Sequence, residues 1–418
     1  MQAGEEVTME RTFMGYRRPD GSVGVRNHLI ILPSVFCANT TAEKVAAQVP
    51  GAIAMPHAVG CAQVGLDLEL TARTLTAMAC HPNVGGVVVI SLGCERFDPQ
   101  EMVEAVKMIG KPLELFIIQE EGGTTNTIRD AVACAKKMKA ELDKIERTPC
   151  DIAELFVGTK CGGTDATSGL AANPAVGNMV DRLVAVGGSA ILSECNELLG
   201  TEDFLAKRAV NRDVARKIYD AIYGVEDVLR SGLDPSLPEK RNHLISRGNF
   251  AGGVSSIVEK ALGGVHKSGT SPIVDVIEYA THPEHGKSGL FLMNYESHDG
   301  EVVTGEIGCG AQLIAFTTGR GNPTGHPIAP IIKITGNPKI YKSMEENFDF
   351  DASPIITEGK TVEEMGEKLM DLVIRVAGGE LTSAERIDGR ELFCVGRRHG
   401  YQRKSREELW AAHNRCMF

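Results

Sequence analysis

At 418 residues the chain exceeds the size at which one hydrophobic core usually stops growing, about 250–300 residues, so two domains are expected. The composition, 43% hydrophobic and 24% charged with a single Trp, is that of an ordinary globular protein, and the net charge of −11 disfavours nonspecific nucleic-acid binding, so an anionic substrate would need a local basic pocket. Met1 to Thr12 lacks the apolar centre of a signal peptide, no apolar run reaches about 18 residues, and 11 cysteines without a CxxC pair read as reduced thiols, so a cytoplasmic location is expected.

In chain order, the apolar run Leu29–Pro33 predicts a strand, the stretch through Ala42–Ala47 a helix, and Ala52–Met55 a second strand ending at Pro56-His57. A helix over Leu68–Ala79 precedes the β-branched run Val84–Leu92, which suits a buried parallel strand. Pro99–Ile109 reads as helix, Leu113–Ile118 as strand and Thr125–Lys144 as a long amphipathic helix. This alternation predicts an open, mostly parallel, flavodoxin- or Rossmann-like sheet with helices on both faces. After a break at Arg147-Thr148-Pro149, a second α/β region begins with a strand at Leu155–Val157 and a loop from Thr159 to Asp165. It continues through Asn178–Val186, a strand at Ala190–Leu192 and a charged helix over Glu202–Tyr223. Asp227 to Gly253 reads as loop, and Gln312–Phe316 as a further strand. The expected division is an extension over 1–12, a parallel-sheet domain over 13–148, a catalytic domain over 149–388 and a basic tail over 389–418.

Ligands of open parallel sheets gather at the carboxyl ends of the strands, and the chemistry-bearing residues cluster at such ends. His57 to Cys61 follows one strand and Gly93-Cys94-Glu95 another, which makes His57, Cys61, Cys94 and Glu95 candidate metal ligands, although core cysteines and structural histidines are common. In Lys160-Cys161-Gly162-Gly163-Thr164-Asp165-Ala166-Thr167-Ser168, adjacent glycines supply exposed amides, flanked by a cation and hydroxyls, as an anion-holding loop needs. Gly162, Gly163, Thr164, Asp165 and Ser168 are therefore candidate substrate-binding residues, although a plain turn has the same composition. Ser193-Glu194-Cys195-Asn196-Glu197 places two acids on one face if helical, or merely at a solvated helix start. Thr318, Arg320, Asn322 and His326 share a polar loop stiffened by Pro323 and Pro327; Arg suits a carboxylate and His a proton transfer. Lys160, Glu194, Glu197 and His326 all qualify as the general base.

Five ordered segments carry a family resemblance: Gly15–Asn27 (GYRRPDGSVGVRN), His81–Glu95 (HPNVGGVVVISLGCE), Lys160–Asn178, Ser193–Gly200 (SECNELLG) and Phe316–Pro330 (FTTGRGNPTGHPIAP). The chain resembles the altronate and galactarate dehydratase family of lyases over roughly residues 13 to 385. The resemblance implies β-elimination of water from a sugar acid to give a 2-keto-3-deoxy acid, with ferrous iron, replaceable by Mn2+, as the usual requirement. Such a reaction needs a base for the proton next to the carboxylate, an acid for the departing oxygen and positive charge on the enediolate.

Single-chain members begin with a small β-rich domain, whereas the Gly15-Tyr16-Arg17-Arg18 motif here lies close to Met1, so a separately encoded small subunit and an oligomeric enzyme are expected. The basic residues after Glu385 also depart from the family pattern, as an interaction arm or a solvated tail. A relative that eliminates sulfite from (2R)-sulfolactate supplies the runner-up. A noncatalytic sugar-acid-binding protein is the reading from another class, against which the joint presence of His57, Cys94, Glu95, Arg320 and His326 argues.

Overall fold

A computed structural model describes residues 12–231 and 247–397. The first half forms a four-stranded, all-parallel sheet in the order Ala52–Ala54, His28–Pro33, Val84–Ser91, Leu113–Ile117. Alternation along the strands divides their side chains between two helical layers. Leu29, Ile31, Val88 and Ile90 pack with helices Asn39–Ala46 and Thr124–Leu142. Ile30, Leu32, Val87 and Val89 face helices Gly65–Cys80 and Pro99–Met108. Every residue of Val84–Ser91 is buried, as its unbroken apolar sequence requires. Helices therefore cover both faces, and the expected elements of this half agree with the structure to within a few residues at each end.

The second half is built on a seven-stranded sheet, also parallel throughout, in the order Ile273–Glu278, Leu290–Asn294, Ser189–Leu192, Phe156–Cys161, Leu313–Thr317, Ile331–Thr335, Phe350–Asp351. Helix Asn173–Ala185 packs against helix Val362–Ala377 on one face. On the other, helix Asp299–Gly308 meets helix Gly65–Cys80 of the first half, so Val302, Val303 and Ile307 share one core with Leu75, Met78 and Val87.

Several expectations need correction. The break at Arg147-Thr148-Pro149 leads straight into the strand Thr148–Asp151, antiparallel to Thr12–Arg17, which in turn pairs with Val23–Gly24. Pro149 is tolerated there because that strand lies at an edge of its sheet. Thr159, Lys160 and Cys161 are strand rather than loop, and Asn173 opens a helix with Pro174 in its first turn, where a proline's missing N–H costs nothing. Glu202–Tyr223 is two helices, Glu202–Ala206 and Arg212–Ser231, the second running into the expected loop; Arg247–Ala251 is also helical, and 232–246 lie outside the described residues. Residues 1–11 and the tail beyond Arg397 lie outside them too. No helix of the described residues is long and apolar enough to cross a membrane.

Candidate active site

The carboxyl ends of the central strands of the seven-stranded sheet converge on a buried network of charge. Lys160, near the end of Phe156–Cys161, and Glu194, just past Ser189–Leu192, are fully buried and paired through Lys160 Nζ and Glu194 Oε1. Glu194 also pairs with Lys267 and accepts the Cys161 N–H at 3.0 Å, so three donors surround its carboxylate. Glu194 adopts φ 71°, a left-handed conformation uncommon for a residue with a Cβ; the sharp turn folds its side chain back towards the lysines. Burial works against each charge, but the pairing outweighs it: Glu194 is held below the ordinary carboxylate range, while Lys160, facing Glu194 and then Asp299, is raised well above that of an amine.

From Lys160 the network runs outward. Asp299 Oδ1 lies 3.0 Å from Lys160 Nζ, and Asp299 Oδ2 accepts from Asn322 Nδ2 at 3.4 Å. Asn322 Oδ1 accepts from Thr324 N at 2.9 Å and, weakly, from Lys333 Nζ at 3.4 Å. Lys333 is buried on the strand Ile331–Thr335, its amine 3.8 Å from the centre of the Phe316 ring. No carboxylate of the described residues forms an ion pair with it, and burial lowers its pKa to about 7. Only a composition-neutral Ile-Ile-Lys-Ile-Thr run marks Lys333 in the sequence, and the sequence reading missed it. Lys267 and Asp299 were missed as well: nothing local to either marks its contact with Glu194 or Lys160.

The expected anion loop splits into frame and surface. Asp165 is the frame: its Oδ1 accepts from Thr167 N at 2.9 Å and Ser168 N at 3.1 Å, and its Oδ2 from Asn337 Nδ2 at 2.7 Å. Thr164 and Ser168 are buried, and Thr164 Oγ1 bonds the Gly162 carbonyl at 3.2 Å. Gly162 N–H reaches the Thr317 carbonyl at 2.8 Å, Gly319 N–H that of Gly163 at 2.9 Å, and Thr318 Oγ1 accepts from Gly321 N at 3.1 Å. A side chain on Gly319 would collide with the Asp165 carboxylate, so the two loops interlock backbone to backbone. Arg320 lies on the exposed rim beside Gly163, and no carboxylate among the described residues pairs with its guanidinium.

Two expected catalytic residues are placed differently. Glu197 is buried and held by Lys260 at 2.7 Å. His326 lies where its loop returns towards the start of the next strand, edge-on to Phe393 at 5.9 Å between ring centres, and burial keeps it neutral. Its Nδ1 takes the Ile328 N–H at 3.4 Å and its Nε2 has no partner among the described residues, so the structure does not bring it to the Lys160–Glu194 group. Beneath the network, Glu306 accepts from Ser193 Oγ at 2.6 Å, and burial raises its pKa to about 8.

The expected metal quartet is not assembled. His57 follows an edge strand and Cys94 and Glu95 a strand two places away, about 10 Å across the sheet. His57 Nε2 lies 2.6 Å from the Pro33 carbonyl and its Nδ1 takes the Val59 N–H, while Glu95 accepts from Ser91 Oγ at 2.6 Å, Gly93 N at 2.8 Å and Ser34. Cys61 and Cys94 are exposed. A different set, His298, Glu301 and Cys394, has donor atoms within 4.8 Å of one another.

Family models place this arrangement. The pattern described as "D-galactarate/Altronate dehydratase, C-terminal" matches residues 152–399, and "D-galactarate dehydratase/Altronate hydrolase, second domain" matches 15–143. The chain belongs to the galactarate/altronate dehydratase family. It is 39% identical to the (2R)-sulfolactate sulfo-lyase subunit beta of Chromohalobacter salexigens, over 92% of this chain and 97% of the relative. It is 35% identical to altronate dehydratase of Bacillus subtilis, over 91% and 77%, and 33% identical to galactarate dehydratase (L-threo-forming) of Escherichia coli, over 88% and 73%. These relatives are all lyases, and so is this member of the family, with both carbon–oxygen and carbon–sulfur cleavage represented among them.

Proposed function

We propose that this family member is the large subunit of a cytoplasmic hydro-lyase that dehydrates an altronate- or galactarate-like sugar acid to a 2-keto-3-deoxy acid, completed by a small β-rich subunit. The observation that carries the reading is the charge network at the strand ends: a buried Lys160–Glu194–Lys267 cluster leading to two cations, Lys333 and Arg320, that no carboxylate of the described residues neutralises. A cluster of cations at the strand ends of a chain of net charge −11 suits an anionic substrate.

In this reading Arg320 holds the substrate carboxylate in a planar fork, and the interlocked loops over 162–165 and 318–321 present Gly163 and its amide neighbours to the substrate hydroxyls. Lys333, near neutrality, takes the proton from the carbon next to the carboxylate, and Lys160 sets the positive field in which the enediolate charge develops. Ferrous iron, or manganese in its place, would supply Lewis-acid charge when bound. Glu194 and Glu197, each already paired with lysine, serve as structural counter-charges. The division into units over 13–148 and 149–388 is part of the same proposal.

A second reading, elimination of sulfite from sulfolactate, is favoured by the match to 97% of a relative named as a subunit. Hexonates, hexarates and sulfolactate incubated with the chain and its small subunit separate the two. A 2-keto-3-deoxy acid from a sugar acid supports the hydro-lyase; sulfite alone rules it out.

A further inference from the structure

We infer that His298, Glu301 and Cys394 form a binding site for a first-row divalent transition ion. One donor atom from each lies within 4.8 Å of the others, the group of three such side chains that the described residues bring so close. At bond lengths of ~2.0–2.3 Å, tetrahedral ligands of such an ion stand roughly 3.3–3.8 Å apart, so side-chain movement of ~1 Å closes the set. Imidazole, carboxylate and thiolate together suit iron, cobalt or zinc, and not magnesium or calcium, which take oxygen ligands. Three protein ligands leave a position open for a small molecule, as catalytic sites do.

The surroundings are built for the approach of these groups. His298 caps helix Asp299–Gly308 and Glu301 follows three residues later, which puts both on one side of its first turn. Cys394 arrives from the C-terminal segment, fixed by its N–H on Thr304 Oγ1 at 3.0 Å, while the Thr304 hydroxyl donates to the Leu392 carbonyl at 2.8 Å. A Cβ on Gly300 would lie 2.8 Å from Cys394 Cβ, so a glycine there lets the cysteine reach the turn. The Tyr295 hydroxyl donates to Glu301 Oε2 at 2.7 Å, the kind of outer contact that orients a ligating carboxylate. His298 is exposed, and its contact with the Glu301 N–H is long at 3.4 Å, so little is lost when the ring turns to a metal. Asp299, between the two ligands in sequence, pairs with Lys160, so the ion would stand beside the charge network.

The site does not depend on the lyase reading, because occupancy is measured without turnover. Anaerobic titration of the full chain with Co2+ is expected to give stoichiometric binding and a thiolate-to-cobalt charge-transfer band in the near ultraviolet. Cys394→Ser should abolish the band, Glu301→Gln should weaken binding by about 100-fold or more, and Tyr295→Phe by about 10-fold. Near-ultraviolet circular dichroism reports whether each variant is folded; if Cys394→Ser is not, the affinity of Glu301→Gln decides. Survival of the band in Cys394→Ser, unchanged affinity in Glu301→Gln, or loss of the band in Cys61→Ser or Cys94→Ser instead would overturn the assignment. Cobalt binding without dehydration of any sugar acid would leave the metal site standing and remove the proposed reaction.

Discussion

Arg320 and Lys333 are the two cations of the network without a carboxylate partner among the described residues, and their assigned roles separate in steady-state kinetics. Arg320→Lys keeps the charge but loses the fork, so KM should rise about 10- to 100-fold, the equivalent of ~1.5–3 kcal/mol for charged hydrogen bonds, with kcat little changed. Lys333→Met should lower kcat by at least about 100-fold. A base must be deprotonated to act, so wild-type kcat/KM should rise with pH through about 7, the value to which burial lowers Lys333, and this limb should vanish in the variant. An unchanged KM in Arg320→Lys, or an intact limb in Lys333→Met, would remove that residue from its role. Arg320 was visible in the sequence because it sits among turn residues that have no reason to be polar together. Lys333 was not, because a lysine between isoleucines looks like the exposed side of an edge strand, whereas its side chain is buried against Phe316 and the loop through Asn322 and Thr324.

Among the elements, the interlock of the loops over 162–165 and 318–321 is open to disruption by a single methyl group. Gly319→Ala would push a Cβ into the Asp165 carboxylate and should lower the melting temperature and abolish activity, whereas Gly224→Ala, at a helical position with open space, should stabilise the chain by up to about 1 kcal/mol. Equal melting temperatures for both variants would mean that the loops do not hold each other. The βαβ alternation of the first half was legible because fully buried strands and amphipathic helices carry opposite periodicities. The seven-stranded sheet was only partly so: Ile273–Glu278, Leu290–Asn294 and Ile331–Thr335 are short apolar runs set among long loops, and their order depends on crossovers that leave no local pattern. The acids of Ser193–Glu197 were found, but their burial was not, since the lysines that neutralise them, Lys160, Lys260 and Lys267, come from distant segments. The metal quartet failed for the converse reason: its members share a sheet edge, yet His57 and Glu95 spend their polar atoms on neighbouring strand ends while Cys61 and Cys94 stand exposed.

At the scale of the whole molecule, Glu306 ties stability to pH. Its carboxyl has an ordinary value of 4.5 when unfolded and is raised to about 8 by burial, so the folded state favours the protonated form. Its contribution is fully present below pH 4.5 and is lost as pH rises towards about 8, on the order of a few kcal/mol. Glu306→Gln should flatten that part of the decline in unfolding free energy between these limits; identical slopes for the two proteins would show that Glu306 is ionised in the fold.

The segment over 388–397 does more than close the polypeptide. It lays Phe393 between His57 and His326, lets Leu392 N–H bond the Gly325 carbonyl at 2.9 Å, and clamps Arg397 onto Asp67 of the first half with two contacts of 2.9 Å. It also carries Cys394. During synthesis, both sheets can be complete while this strap is still inside the ribosome, so a nascent chain would have its buried lysine cluster formed but lack the thiol. Metal loading at the inferred site waits on this segment, so the order of translation itself keeps an ion out of a half-made enzyme.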